Sequence, residues 1–232
     1  MPRRGRFRQR IVERAECRVA KARAAIVDRW RSLYERSDAG RLCGPNDLVF
    51  DRQGGFWFTD HGKTRARDVD RGSVHYARAD GSAIREVVFP MWSPNGVALS
   101  ADERVLYVAE TFTGRVWAFD LSGPGEIVRQ PWPHSPHGGR LVQGLPGYQN
   151  LDSLALDSAG NICVATLSNG GITVMAPDGS GSTHVPMPDT MTTNLCFGGP
   201  DLRTAYVTLS SSGRLVATEW PRPGLPLNFL NL

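Results

Sequence analysis

Four polar side chains stand at similar places in the sequence, each at most two residues before a short apolar run. They are Asn46, Asn95, Asp152 and Asn194. Amide and carboxylate oxygens are hard donors that suit Ca²⁺, Mg²⁺ or Mn²⁺, and Zn²⁺ also accepts carboxylates. Asn and Asp also cap turns and bond to nearby backbone groups, so each residue taken singly has a purely structural explanation. A chemical role requires that the fold bring them to one place.

The stretch "SPNGVALSADERVLYVAE", residues 93–110, shows how such a residue is positioned. Asn-Gly pairs are typical of two-residue hairpin turns. Here, however, the strand-like run starts directly after Asn95 and Gly96, and the turn residues "SADER" come later. The pattern therefore predicts that Asn95 lies at the start of a strand and not in a turn.

This plan is repeated along the chain. Each copy has a polar residue, a four-residue apolar run, a polar turn and a second run rich in β-branched and aromatic residues, which is the signature of a hairpin. The copies are "NDLVFDRQGGFWFTD" (46–60), "NGVALSADERVLYVAE" (95–110), "DSLALDSAGNICVAT" (152–166) and "NLCFGGPDLRTAYVT" (194–208). Their starts are 49, 57 and 42 residues apart.

A second hairpin is predicted after each of these units, the last one in "GRLVATEWPRPGLPLNF". Two hairpins form a four-stranded sheet, and a period of this length is typical of β-propeller blades. A sandwich of short strands is the alternative, although sandwiches have turn signals without such a period. The first strand of a propeller blade lines the central channel, so the four polar residues would face a common axis.

The N-terminal segment has a different composition. Residues 1–42 carry thirteen Lys and Arg against five Asp and Glu, whereas the whole chain has a net charge of only +4. Apolar residues spaced by three and four predict an amphipathic helix over about 11–35. We therefore predict a basic segment, helical or disordered, over 1–40 and propeller blades over 41–232. A nucleic-acid-binding arm, a solvated segment without a partner and non-native coding sequence are the open readings of residues 1–32.

The remaining composition favours a cytoplasmic globular protein. The sequence has no run of eighteen apolar residues and no apolar stretch after its basic start that would make a secretory signal. The four cysteines show no metal-binding spacing, and Cys163 and Cys196 lie in apolar runs where buried free thiols are expected. We expect neither a membrane association nor a nucleic-acid partner.

Three of the quoted motifs together resemble a known family. "GPNDLVFDRQGGFWFTD", "PNGVALSADERVLYVAET" and "LDSLALDSAGNICVA" are similar to those of the gluconolactonase, regucalcin (senescence marker protein) and luciferin-regenerating enzyme family, over roughly 33–232. The resemblance implies a six-bladed propeller with one divalent cation on its axis. It makes Asn95 and Asp152 metal ligands, with Asp152 also the candidate catalytic base, and it turns Asn46 toward the substrate. The repeat alone suggests that Asn194 lines the substrate pocket.

The activity implied by this resemblance is hydrolysis of a sugar lactone or another small lactone. A divalent cation, Ca²⁺ in the first place and Zn²⁺, Mg²⁺ or Mn²⁺ as alternatives, would polarise the ester carbonyl and acidify a water molecule. Asp152 could accept the proton of that water. A serine mechanism has no support, since G-x-S-x-G is missing, and His137 in "SPHGG" is expected in a loop near the channel mouth.

The sequence also departs from the family. The Glu-Gly-Pro motif that supplies a further metal ligand is not found, and four repeats are present where six are expected. We therefore predict a partial ring whose metal affinity and activity are impaired. The alternatives are an inactive propeller fragment and a non-catalytic binding scaffold.

Overall fold

A computed structural model of the protein describes residues 32–230, so the predicted helix over 11–35 lies almost wholly outside the described residues. The described part consists of strands, turns and loops. It contains no helix long and apolar enough to cross a bilayer. A small hairpin, β1 (Arg36–Ser37) with β2 (Gly40–Arg41), comes before four antiparallel sheets.

The four sheets follow one another along the chain as four blades. Blade 1 contains β3 (Pro45–Phe50), β4 (Gly55–Asp60), β5 (Gly72–Arg78) and β6 (Ile84–Met91). Blade 2 contains β7 (Pro94–Leu99), β8 (Val105–Glu110), β9 (Arg115–Gly123), β10 (Glu126–Val128) and β11 (Arg140–Gly144). Blade 3 contains β12 (Asn150–Leu156), β13 (Ile162–Leu167), β14 (Gly171–Met175) and β15 (Ser182–Pro186). Blade 4 contains β16 (Thr192–Gly198), β17 (Thr204–Leu209) and β18 (Arg214–Glu219).

The blades pack face to face through three apolar cores. Trp57 of blade 1 and Phe119 of blade 2 belong to the first core. Leu151 belongs to the second, between blades 2 and 3, and Trp220 belongs to the third, between blades 3 and 4. The inner strands β3, β7, β12 and β16 pack against one another in this order. The predicted partial β-propeller of about four blades is therefore confirmed.

The polar turns of the repeat close the inner hairpins through an aspartate. Asp51 Oδ1 accepts hydrogen bonds from the backbone N–H groups of Gln53 (2.9 Å) and Gly55 (2.8 Å). Asp157 Oδ1 accepts from Ala159 and Asn161 in the corresponding turn of blade 3, both at 2.9 Å. Such turns pair a buried carboxylate with backbone donors, which explains why aspartate ends these apolar runs.

The prediction of a second hairpin in the fourth repeat is wrong, because among the described residues blade 4 has three strands. Residues 221–226 contain three prolines, which have no N–H to donate to a sheet. The chain instead leaves blade 4 as a strap, residues 220–230, that runs across to blade 1. Leu225 N–H donates to Leu156 O at 2.8 Å, and Asn228 Nδ2 donates to Phe50 O at 2.8 Å.

Two smaller predictions are also wrong. Cys163 is buried as expected, but Cys196 is exposed because its side chain lies on the face of blade 4 that no other blade covers. His137 does not lie at the channel mouth: the segment that holds it, 129–139, interrupts the outermost strand of blade 2, between β10 and β11. There His137 is buried, with its ring 4.5 Å from that of Trp117.

Candidate functional site

All four inner strands carry one extra residue near their first residues. The register with the second strand shifts between Pro45 and Leu48 in β3, and between Pro94 and Val97 in β7. The same shift lies between residues 151 and 154 in β12 and between 192 and 194 in β16. A β-bulge redirects side chains and is frequent beside functional sites. Asn46, Asn95 and Asp152 all lie within these bulges.

Gly96 explains how β7 and β12 come close enough to form a site. A Cβ atom on Gly96 would lie 2.4 Å from Leu154 N and 2.7 Å from Ser153 C, so a larger residue would separate the two strands. Glycine is used here for close backbone approach, and the Asn-Gly pair lies inside β7 as predicted. The approach places the Asn95 amide against the Asp152 carboxylate, to which it donates a hydrogen bond.

Thr59 holds the first blade against this pair. Its buried hydroxyl donates to the backbone oxygen of Asn95 at 2.7 Å and accepts from the backbone N–H of Asp47 at 3.1 Å. Asp47 in turn accepts from the backbone N–H groups of Leu48 (2.9 Å) and Val97 (3.4 Å). Asp47 therefore reaches across from β3 to β7, toward Asp152.

The two carboxylates share an unfavourable electrostatic environment. The pKa of Asp152 is raised to about 6, chiefly by burial and in smaller part by the charge of Asp47, while hydrogen bonds from Ser153 and Asn95 oppose the rise. Burial likewise raises the pKa of Asp47 to about 6. No lysine or arginine among residues 32–230 contributes to either pKa. Two partly desolvated carboxylates without a cationic partner favour protonation or the binding of a cation.

The donor set fits a hard divalent cation. Asn95 is buried, and its Oδ1 atom has no hydrogen-bond partner in the described part of the chain. Buried polar atoms are almost always satisfied, so an unpaired carbonyl oxygen beside carboxylates is the arrangement that a cation would complete. Within residues 32–230 no group of three or more His, Cys, Asp or Glu side chains is placed to hold a metal. The candidate site therefore depends on an amide oxygen.

The predicted residues divide between the middle and the end blades. Asn95 and Asp152 are brought together on blades 2 and 3. Asn46 and Asn194 lie on blades 1 and 4, where both are exposed. When the inner strands are aligned by their pairing with the second strand, Asn194 corresponds to Asp47 and not to Asn46. Both Asn194 and Asp47 come one residue before the first leucine after the bulge. Sequence reasoning missed Asp47, although the adjacent Asp in "GPND" was visible.

These features define a class: a β-propeller with a cluster of oxygen donors where its inner strands begin. Residues 11–211 match the model of the "SMP-30/Gluconolactonase/LRE-like region". The chain therefore belongs to this family. The resemblance of its motifs to gluconolactonase, regucalcin and luciferin-regenerating enzyme is confirmed.

Individual relatives agree with this assignment. The chain is 34% identical to lactonase drp35 of Staphylococcus saprophyticus over 66% of this chain and 44% of the lactonase. It is 31% identical to diisopropyl-fluorophosphatase of Loligo vulgaris over 81% of this chain and 61% of that enzyme. A gluconolactonase structure from Xanthomonas campestris superimposes with a TM-score of 0.62 at 27% identity, over 82% of this chain and 60% of that one. The chain thus spans less than half the length of the staphylococcal lactonase.

Proposed function

We propose that the chain carries the metal-binding and catalytic side chains of a divalent-metal-dependent lactone hydrolase, of the kind that acts on sugar lactones or other small lactones. One observation carries the proposal: the buried, unpaired Asn95 Oδ1 beside the Asp152 carboxylate, whose pKa is raised. Family membership supports the reaction class, and the names of the lactonase and gluconolactonase relatives support the substrate class.

In this proposal Asn95 Oδ1 and Asp152 hold the cation, which is Ca²⁺ in the first place, with Zn²⁺, Mg²⁺ or Mn²⁺ as alternatives. Oxygen-only ligands suit the hard cations of this group best. When bound, the cation would polarise the lactone carbonyl and make water more acidic. Asp47 adds a second negative charge next to the pair, which raises the affinity for a cation.

Asp152 also supplies the base. Its carboxylate lies beside Asn95, and a carboxylate within hydrogen-bond reach of the attacking water can accept its proton. Water adds to the lactone carbonyl carbon and the ring C–O bond breaks, so that the products are a hydroxy carboxylate and one proton. Asn46, exposed beside Asp47, and Asn194, exposed on blade 4, would contact the substrate. The reaction uses a soluble substrate, and we place it in the cytoplasm without a membrane or nucleic-acid partner.

A first experiment separates this proposal from an inactive fragment or a binding scaffold. Thermal unfolding of the 232-residue chain is measured in chelator and then with millimolar Ca²⁺, Mg²⁺, Mn²⁺ or Zn²⁺. A hundredfold excess over the dissociation constant stabilises a protein by about 2.7 kcal/mol. We expect one cation to raise the transition temperature of the wild type but not that of Asn95→Leu.

Hydrolysis of gluconolactone, followed by the acid released, is measured with the cation that stabilises. We expect activity that is lost in Asp152→Asn and retained in the matched exposed variant Asp178→Asn. Cation binding without hydrolysis of either a sugar lactone or an aliphatic lactone would support a metal-binding scaffold. A chain that responds to no cation would contradict the proposal altogether.

A further inference from the structure

A cavity of about 420 Å³ lies directly beyond the candidate metal site along the inner strands. On β3 its wall begins at Asp47 and continues to Phe50. On β7 and β12 it begins two residues after the site residue, at Val97 and Leu154. The cavity and the metal site are therefore stacked along one axis, with Asp47 as a wall residue that also faces Asp152.

The wall of the cavity is mostly apolar. Its sides are formed by aliphatic and aromatic side chains, among them Leu48, Leu154, Leu195 and Phe197. The charged residues at its far end already have partners, since Glu103 accepts from Asn228 (2.6 Å) and lies 3.6 Å from Arg52. The Asp47 carboxylate is thus the charged group available at the end nearest the metal site.

The strap closes the far end. Residues 225–228 and Leu230 line the cavity, and Asn228 anchors the strap to Phe50 O and Glu103. The ring of Phe229 packs on that of Phe50 with 6.2 Å between their centroids. The volume falls in the range of small-molecule sites, which are mainly apolar with a few polar groups that orient the ligand.

We propose that this cavity binds an unbranched alkyl chain, and that the substrate is a lactone with an aliphatic substituent. The lactone ring would lie at Asn95, Asp47 and Asp152, and the chain would extend between Leu48 and Leu154 toward the strap. Asp47 to Phe50 spans roughly 10 Å at about 3.3 Å per residue, the length of an extended chain of about eight carbons. The lactone head group rests on the proposed function, whereas the alkyl site does not.

The alkyl site is tested with ligands that cannot be hydrolysed. Binding of straight-chain alcohols from butanol to dodecanol to the full chain is measured by calorimetry in chelator. Burying one methylene is worth about a fourfold gain in affinity, so we expect this increment per carbon up to about eight carbons and a plateau beyond. Affinity that does not depend on chain length would overturn the proposal.

Variants locate the binding. Ala155 lines the cavity, so Ala155→Leu should weaken octanol binding at least tenfold and leave butanol almost unchanged. The same change at the exposed Ala217 of blade 4 serves as the matched control and should have no effect. Leu48 is 52% exposed, so Leu48→Gln should fold even if Ala155→Leu does not, and should weaken octanol binding several-fold. Octanol binding that both variants leave intact would place the ligand elsewhere and contradict the proposal.

Hydrolysis distinguishes the two proposals. Turnover of γ-lactones that carry a chain of zero to eight carbons is compared in the presence of the cation. We expect KM to fall with chain length in the wild type and to lose this dependence in Ala155→Leu. Alcohol binding without hydrolysis of any lactone would refute the lactonase alone. Hydrolysis of unsubstituted γ-butyrolactone without any chain-length effect would refute the alkyl site alone.

Discussion

Replacing Asp152 with asparagine should stabilise the cation-free protein at neutral and alkaline pH. Burial raises the pKa of Asp152 from 3.8 to about 6, so the folded state favours the protonated carboxyl. The native state therefore binds a proton more tightly than the unfolded state, and stability is lost as pH rises from about 4 through 6. The raised pKa of Asp152 therefore lowers the free energy of unfolding by roughly 3 kcal/mol above pH 7, at about 1.4 kcal/mol per pH unit between the two pKa values.

Asparagine keeps the shape and has no charge to desolvate, so Asp152→Asn removes this loss. In chelator at pH 8 we expect the variant to be more stable than the wild type by up to about 3 kcal/mol. At pH 4 the two should be nearly equal. The dependence of unfolding free energy on pH that remains in Asp152→Asn should come from Asp47, whose pKa is also raised to about 6.

A saturating cation should reverse the order. It stabilises the wild type through its carboxylate, by about 4.1 kcal/mol at a thousandfold excess over the dissociation constant, and leaves the variant little changed. Urea unfolding is followed by tryptophan fluorescence at pH 4, 6 and 8, with chelator or cation. Asp178→Asn, the same change in an exposed turn, should show neither effect. An Asp152→Asn variant that is less stable than the wild type at pH 8 in chelator would refute the reasoning.

Three further predictions concern parts of the fold outside the site. Burial lowers the pKa of His137 to about 4, so as pH falls the unfolded state binds a proton before the folded state does. The free energy of unfolding should therefore drop by about 3 kcal/mol between pH 6.5 and 4. His137→Gln should reduce this dependence on pH, as measured by urea unfolding at a series of pH values. Asp157→Ala removes a fully buried carboxylate that pairs with Arg222 at 2.9 Å and caps a turn, so the free energy of unfolding, measured by urea unfolding, should fall by about 2–4 kcal/mol. Arg222→Ala should lower the free energy of unfolding by less, because the Arg222 side chain is half exposed. Asn228→Ala should release the strap from blade 1, which limited proteolysis would detect as faster cleavage near the C-terminus while the blades stay folded.

The inner hairpins could be predicted because their signals are local. An apolar run of four, an aspartate-centred turn and a second run recur with a constant plan, and local hydrogen bonds explain each part. Asn95 could be placed at the start of a strand for the same reason. The path of residues 220–230 was harder to predict, since it depends on distant acceptors such as Phe50 O. The three prolines were nevertheless a usable sign that a regular fourth strand would not form.

The orientation of the site residues could not be read from the sequence. Side chains alternate along a strand, so one extra residue exchanges the two faces. Each inner strand contains such a bulge at the position of the site, and no sequence pattern marks it. This is why Asp47 was missed in favour of Asn46, and why Asn194 was aligned with the wrong member of that pair. The bulge itself is the common device that turns these residues toward one another.

The position of a blade within the partial ring decides how well its site residue is held. β7 is buried along its whole length because blades 1 and 3 cover it on both sides, and Asn95 is fixed within it. β3 has only exposed and half-buried residues, since only one of its sides packs against a neighbouring blade. Asn95 and Asp152 are therefore a preorganised pair. The exposed Asn46 side chain would have to be ordered when a ligand binds, and the cost of this ordering would reduce its contribution to the binding free energy. The strap runs from blade 4 to blade 1 and lines the cavity together with β3. A ligand that fills the cavity would therefore contact both the strap and β3 and should stabilise them.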